Sequence, residues 1–328
     1  MALLALAADH ARAAGNLQLV CVTVDHGLRP EAAEEARTVA RASEALGVSH
    51  ETLTWTRTSG TPVGQAEARH ARHALLASWA ARHGISRIAL GHTRDDRLET
   101  FLMRARQGSG WYGLAGPMPS SPSPVWPEGS GVTLLRPLLA FGRAELRGEL
   151  TARGIGWIED PSNANERFER VRMRGLIARM EPGQPDRIIR ILDTLATLRA
   201  AVMAEAHGLL PDLQLQASGE QAIALSARDR VSGEAWRRFI EAMVMAAGGR
   251  EAPPRTDALA RLVERIGQRD PMLDRGTTLG GAGIRVRDGG LLTFGRAPPR
   301  RSEPVPEPPR WDRAQRLLAP PDLRLLAI

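Results

Sequence analysis

The sequence predicts an α/β protein, a doubly wound parallel sheet followed by a second, mainly helical domain. Three observations carry this expectation. Short apolar or β-branched runs alternate with amphipathic stretches at βαβ spacing as far as Arg106. A length of 328 residues suits two domains, or three, at roughly 100–200 residues each. Past Glu181-Pro-Gly-Gln-Pro the alternation stops and long helical patterns take over, which sets the expected domains at 1–180 and 185–328.

The elements follow in order. Met1-Ala-Leu-Leu-Ala-Leu-Ala-Ala opens an amphipathic helix that Asp9, His10 and Arg12 mark as water-facing on one side. Leu17 to Val24 is a β-branched run ending in the polar turn Asp25-His26-Gly27. A helix is expected from Glu31 to Leu46, a strand from Val48 to Trp55, and a helix from Val63 to His83 closed by Gly84. Ser86 to Leu90 is a buried-strand candidate, and Gly91-His92-Thr93 turns into a helix from Arg94 to Arg106. The Gly-, Pro- and Ser-rich stretch from Gly108 to Gly131 is expected to be a loop. Leu134 to Leu139 and a helix from Arg143 to Arg153 resume ordered structure, and helices are expected from Asp186 to about Gly208 and from Ser232 to Ala247. Gly276 to Phe294 alternates like a hairpin, Ala297 to Pro309 reads as linker, and the last segment is weakly patterned.

Composition narrows the class. With 43% hydrophobic and 25% charged residues, wholesale disorder is excluded. A single cysteine, Cys21, excludes a disulfide framework and any cysteine-based zinc or iron–sulfur site within one chain. That points to a reducing compartment. The apolar opening lacks the basic flank of a secretory signal, and nothing later is long enough to span a bilayer. The expectation is a cytoplasmic protein with no membrane contact. All 44 basic residues are arginines, the formal net charge is +7, and arginine suits bidentate phosphate contacts. A polyanionic partner fits that balance.

Three clusters could carry chemistry. In a doubly wound sheet, ligands bind beyond the carboxyl ends of the strands, where Asp25-His26-Gly27 and Gly91-His92-Thr93 both fall. The run from His92 to Thr100 is the densest polar stretch, with His92/Asp96 and Asp95/Glu99 as i,i+4 pairs. Such a cluster could ligate a metal, grip an ammonium or serve as acid and base. In isolation it is more often a capped, charged first helical turn. Arg69, Arg72 and His73 share a helical face, either a solvated face or a phosphate clamp. After Trp157-Ile-Glu-Asp160-Pro-Ser-Asn163 come Asn165 and Phe168, then Arg170, Arg172 and Arg174. These arginines suit an extended segment or a first helical turn, facing phosphates or merely paired on the surface.

These pieces occur together and in order, and there the sequence resembles the tRNA(Ile)-lysidine synthase family of pyrophosphatase-loop ATPases. The matching stretches are VDHGLRPEA (24–32), QAEARHARH (65–73), H-x-x-D-D-x-x-E-T (92–100), RQGSGWYGLAG (106–116), RPLL with Arg143-Ala-Glu145-Leu146, WIEDPSN (157–163) and RGTTLGG (275–281). The resemblance implies an adenine-nucleotide α-hydrolase-like fold. It implies ATP-dependent ligation of free L-lysine to C2 of the wobble cytidine of a tRNA(Ile) with anticodon CAU, through an adenylated base. Asp96 and Glu99 would hold the lysine. His26 and His92 would line the nucleotide pocket. Arg69, Arg72, Arg170 and Arg172 would face ATP phosphates, the adenylate or tRNA. Magnesium (Mg2+) would neutralise the triphosphate, no protein metal site is expected, and a homodimer is possible in such a family.

The chain departs from the family pattern, which has Tyr where His73 stands and Asn where Val171 separates the two arginines. The family's Ser-Gly-Gly-x-Asp-Ser loop, which cradles pyrophosphate on backbone N–H groups, is not in this sequence. In the family a Met-Ala-Leu-Leu-like helix follows that loop directly. The expectation is therefore that a central strand and the loop lie upstream of Met1. Expressed from Met1, the protein would be poorly soluble and inactive. Three other classes remain open: a loopless tRNA-binding relative without catalysis, a tRNA thiolase, and a metal-dependent hydrolase built on His92, Asp95, Asp96 and Glu99. Cys21 as the sole cysteine argues against the thiolase.

Overall fold

The computed structural model describes residues 1–27, 32–56, 64–158, 169–298 and 309–323. The chain divides into two compact units, Met1–Ala196 with Asp322–Ile328, and Thr197–Pro321. The division falls inside one helix.

In the first unit the order is α1 (Ala2–Ala14), β1 (Val20–Asp25), α2 (Ala32–Ala45), β2 (Ser49–Thr54), α3 (Gln65–Arg82), β3 (Arg87–Ala89), α4 (Arg94–Arg106), α5 (Trp111–Leu114), β4 (Ser120–Pro122), β5 (Thr133–Leu135), α6 (Arg143–Ala152), α7 (Glu169–Ala178) and α8 (Gln184–His207), which contains the division. β1 runs parallel to β2, with Val20 opposite Ser49 and Asp25 opposite Thr54. β3 runs parallel to β5, and β4 lies antiparallel on the far side of β5. Parallel pairs need helical crossovers, which α2 supplies between β1 and β2. Among the described residues no strand pair joins β1 to β3, so the strands form two separate sheets. Both rest on α3, whose Ala77, Trp79 and Ala80 meet Val22 and Leu53 from one sheet and Ile88 and Leu134 from the other. On α1, Leu4 and Ala8 pack with Val48, Leu19, Cys21 and Leu46.

One segment differs from expectation. The stretch from Gly108 to Gly131 is not one loop, because it contains α5 and β4. Ser120, Ser121 and Pro122 pair with Leu135, Leu134 and Thr133, and Pro122 stands on an edge strand, where its missing N–H costs no ladder bond. Of the two alternatives for the arginine-rich run from Arg170, the structure has the helical one, as the start of α7. Asp160, Asn163, Asn165 and Phe168 lie outside the described residues.

The second unit carries a five-stranded antiparallel sheet in the order β6-β7-β10-β9-β8. These are β6 (Gln214–Leu215), β7 (Gln221–Ala224), β8 (Thr277–Leu279), β9 (Ala282–Arg287) and β10 (Leu291–Arg296). Its helices besides α8 are α9 (Gly233–Gly248), α10 (Thr256–Gly267) and α11 (Asp312–Leu318). α9 is buried along its length, with Trp236, Phe239, Ile240 and Met243 in one core with Ile223, Ile284, Leu292 and Phe294. The RGTTLGG stretch finds its explanation here. A Cβ on Gly248 would overlap the carbonyl oxygen of Gly280 in the β8–β9 turn, and Gly281 has φ +86° with its own Cβ position 2.7 Å from the Gly248 carbonyl oxygen. Helix and turn meet backbone to backbone, which only glycine permits.

Candidate active site

The site begins where β3 hands over to α4. Leu90 N–H bonds the Leu135 carbonyl at 2.8 Å, and the chain passes Gly91 and His92 to Thr93, the N-cap of α4. Thr93 donates its backbone N–H and its hydroxyl to Asp96 Oδ2, both at 2.8 Å. Asp96 thus serves the helix start as a capping-box residue. Asp95 points to a second helix, accepting the Arg143 N–H at the start of α6 at 2.8 Å. The first helical turns of α4 and α6 therefore converge on one group of carboxylates, the sign that helix N-termini favour.

Arginines meet those carboxylates. Arg143 donates Nη2 to Asp96 Oδ1 and Nη1 to Glu99 Oε1, each at 2.8 Å. Arg174 of α7 donates Nε to the same Glu99 oxygen at 2.7 Å, and Arg170 stands 3.9 Å from Asp96 Oδ1. Burial opposes ionisation of Asp96, but Arg143 and the two Thr93 bonds outweigh it, holding the carboxyl below its ordinary range. Burial likewise works against the charge on Arg143, yet the bond to Glu99 and the neighbouring acids push its pKa up. Glu99 is fully buried, and its Oε2 has no hydrogen-bond partner among the described residues.

Beside this lies an electropositive cluster at the carboxyl ends of β1 and β3. Burial, then Arg69, Arg72, Arg136 and His92, push His73 down to about 4. Burial also brings His92 to about 4, opposed by Asp96 and reinforced by Arg136, Arg69 and Arg170. His26 is lowered by burial and by Arg72, against Asp25. The arginines depress one another too, Arg69 feeling burial first and then Arg170 and Arg72. Three imidazoles held neutral among four guanidiniums need an anion to balance them. The buried Nδ1 atoms of His26 and His92 have no partner among the described residues. Such unpaired donors or acceptors are costly unless a ligand takes them.

Residues 1–180 match the family model of the PP-loop domain. The tRNA(Ile)-lysidine synthase of Hyphomonas neptunium is 43% identical over 289 residues, 88% of this chain and 76% of that protein. That of Rhodopseudomonas palustris is 36% identical over 294 residues, 86% of this chain and 83% of that protein. The chain belongs to the tRNA(Ile)-lysidine synthase family. A third relative of that name, from Ruegeria pomeroyi, is 37% identical over 275 residues, 83% of this chain, which spans only 64% of that protein. Among solved structures, a U34-tRNA thiolase from Methanococcus maripaludis superimposes with TM-score 0.49 at 14% identity, over 60% of this chain and 67% of that one. That likeness is too remote to carry an argument.

For this family of ATP-using ligases, the structure draws most of the sequence-derived candidates into one place. His26, Arg69, Arg72, His92, Asp96 and Arg170 sense one another electrostatically, and Glu99 joins through Arg143 and Arg174. Arg172 is exposed on α7, two residues from Arg170 and well round the helix from it. Sequence reasoning gave no role to Arg143 or Arg136. Arg136, of the RPLL stretch, is buried and donates Nη1 to the Met118 carbonyl at 2.8 Å and to Ser121 Oγ at 3.0 Å. Long-range pairing of α6 with α4 has no local sequence signal. Among the described residues no group of three or more His, Cys, Asp or Glu could hold a metal ion, and the Asp95–Glu99 acids are engaged by α6 and by arginines instead. No helix among the described residues is long and apolar enough to cross a membrane.

Proposed function

We propose that this chain performs the ligation its family is named for, in the cytoplasm. The cytidine C2 oxygen attacks the ATP α-phosphate and expels pyrophosphate; the lysine ε-amine then attacks C2 and expels AMP. One observation carries the reading: a fully buried carboxylate with an open oxygen, Glu99 Oε2, stands next to a cluster of arginines and neutral imidazoles. The carboxylate suits an ammonium, and the cluster suits a triphosphate and then an adenylate. Asp96 and Glu99 would hold the lysine, with Asp96 doubling as the α4 cap. Arg69, Arg72 and Arg170 would face phosphate. Held neutral, His26 and His92 would offer ring nitrogens, not charge, to the nucleotide. Arg172 would contact tRNA phosphate. Magnesium would be carried by the triphosphate and neutralise its charge. The pyrophosphate cradle would be a glycine-rich loop beside the edges of β1 and β3 that have no strand partner among the described residues.

Glu99→Gln tests the reading. It is expected to abolish lysidine formation while tRNA affinity stays within about twofold of the parent. A loss of tRNA affinity as large as the loss of activity would assign Glu99 to structure or RNA binding.

A further inference from the structure

We propose that Arg143 is a positioning residue for the amino-acid half of the site, clamping the Asp96 and Glu99 carboxylates so that Glu99 Oε2 is the acceptor left open to an incoming ammonium. The proposal rests on the reading of the site given above. Counting acceptors shows why one guanidinium decides the arrangement. A carboxylate offers two oxygens with about four lone-pair sites. Asp96 Oδ2 is filled by the two Thr93 donors, and Asp96 Oδ1 takes Arg143 Nη2. Glu99 Oε1 takes Arg143 Nη1 and Arg174 Nε. Only Glu99 Oε2 takes nothing among the described residues.

The clamp depends on arginine geometry. The two Nη atoms of a planar guanidinium have a fixed separation and here reach two carboxylates three residues apart on α4. A lysine at this position would present one point charge and could not fix both. Arg143 is itself held at its base, because its N–H bonds Asp95 Oδ2 at 2.8 Å and the preceding Gly142 N–H bonds Glu145 Oε2 at 2.5 Å. The fork is therefore aimed by the α6 start, and rotation of Glu99 about its side chain is stopped from two directions. Arg143 has no open contact of its own to offer a substrate amine. It acts through Glu99.

The test uses the full-length protein, with Arg143→Ala and Arg143→Lys. Two readouts separate the halves of the reaction: the KM for lysine in lysidine formation, and tRNA-dependent ATP–pyrophosphate exchange without lysine. In Arg143→Ala the KM for lysine is expected to rise about tenfold or more, with exchange within about twofold of the parent. Added methylguanidinium is expected to lower that KM again. Arg143→Lys, which keeps the charge and the fold without the fork, is expected to raise the KM as well and to be insensitive to methylguanidinium. An unchanged KM in both variants overturns the proposal. So does a parallel fall of exchange and lysine use, the signature of a merely structural residue. A parent protein that never consumes lysine would overturn the functional reading itself, and that result appears before any substitution is made.

Discussion

Replacing Gly248 by alanine puts the glycine-to-glycine seam of the second unit under direct strain. Gly248 is the last residue of α9, and a Cβ there would stand 2.9 Å from the Gly280 carbonyl carbon, 3.0 Å from the Ala282 nitrogen, and closer still to the Gly280 oxygen. All three obstacles are backbone, so no side chain can swing aside. The turn cannot simply retreat, because Leu279 pairs with Ala282 across it and the Ala297 N–H bonds the Gly281 carbonyl at 2.9 Å. Overpacking of this kind costs about 1–3 kcal/mol, against a helix-propensity gain of at most about 1 kcal/mol for alanine over glycine. A net loss of about 1–2 kcal/mol should lower the melting temperature of a unit this size by roughly 3–10 °C. Gly148→Ala is the internal control, since α6 leaves nothing within 4 Å of that Cβ position, and it should stabilise by about 0.5–1 kcal/mol. Urea and thermal unfolding followed by tryptophan fluorescence would read both, with the buried Trp236 reporting on α9. If Gly248→Ala matched Gly148→Ala in sign, the close approach of α9 to the β8–β9 turn would be refuted.

Two further outcomes are expected from the first unit. His73 and His92 sit near pKa 4 in the fold, whereas unfolded imidazoles titrate near about 6.5. The stability gained by keeping them neutral is complete above pH 6.5 and is lost as pH falls from there towards 4, at up to about 1.4 kcal/mol per pH unit for each histidine. Urea midpoints between pH 4 and 7 should show this slope, and His73→Gln should flatten it; equal slopes in parent and variant would contradict the assignment. Arg172 is exposed while Arg174 is bonded to Glu99, so Arg172→Ala should reduce the log–log salt slope of tRNA binding by about one unit. If Arg174→Ala did so and Arg172→Ala did not, the RNA would lie on the other face of α7.

Much of the first unit was legible because its signals are local. Period-2 and period-3.6 patterns, Gly84 and Thr93 gave α3, α4 and the strand ends where ligands gather. Asp96 shows the limit of such reading: sequence sets capping against chemistry as rivals, while the structure has Asp96 both capping α4 and paired with Arg143. Arg143 was invisible as a site residue because its partners Asp96 and Glu99 are more than forty positions away. The same holds in the second unit, where β6 and β7 are too short to show a period, and only the stretch from Gly276 to Phe294 announced a sheet. RGTTLGG was noticed for its resemblance alone. Its physical reason is a three-glycine contact that needs α9 in place to be seen.

The strand pairing of the first unit suggests what would join its two sheets. β1 is paired on one side by β2 and β3 on one side by β5, while among the described residues the remaining edge of each has no strand partner. Both sheets lie on α3, yet Val20 and Ala89 are exposed although their strands read as apolar. Central strands of a parallel sheet are buried on both faces, so a further strand laid against these edges would cover both residues. One parallel strand between β1 and β3 would join β2, β1, β3 and β5 into a single sheet. Its carboxyl end would open beside His26 and His92, among the arginines, where a glycine-rich loop could offer backbone N–H groups to pyrophosphate. The strand and loop that would fill this position are expected to carry a glycine-rich, phosphate-binding sequence of the Ser-Gly-Gly-x-Asp-Ser kind. A protein that carries them should melt several degrees higher than one without, at roughly 2–4 °C per kcal/mol gained. It should also consume ATP in the presence of lysine and tRNA. Full ATP consumption by a protein without that strand and loop would mean that the gap is bridged in another way and that the cradle lies elsewhere.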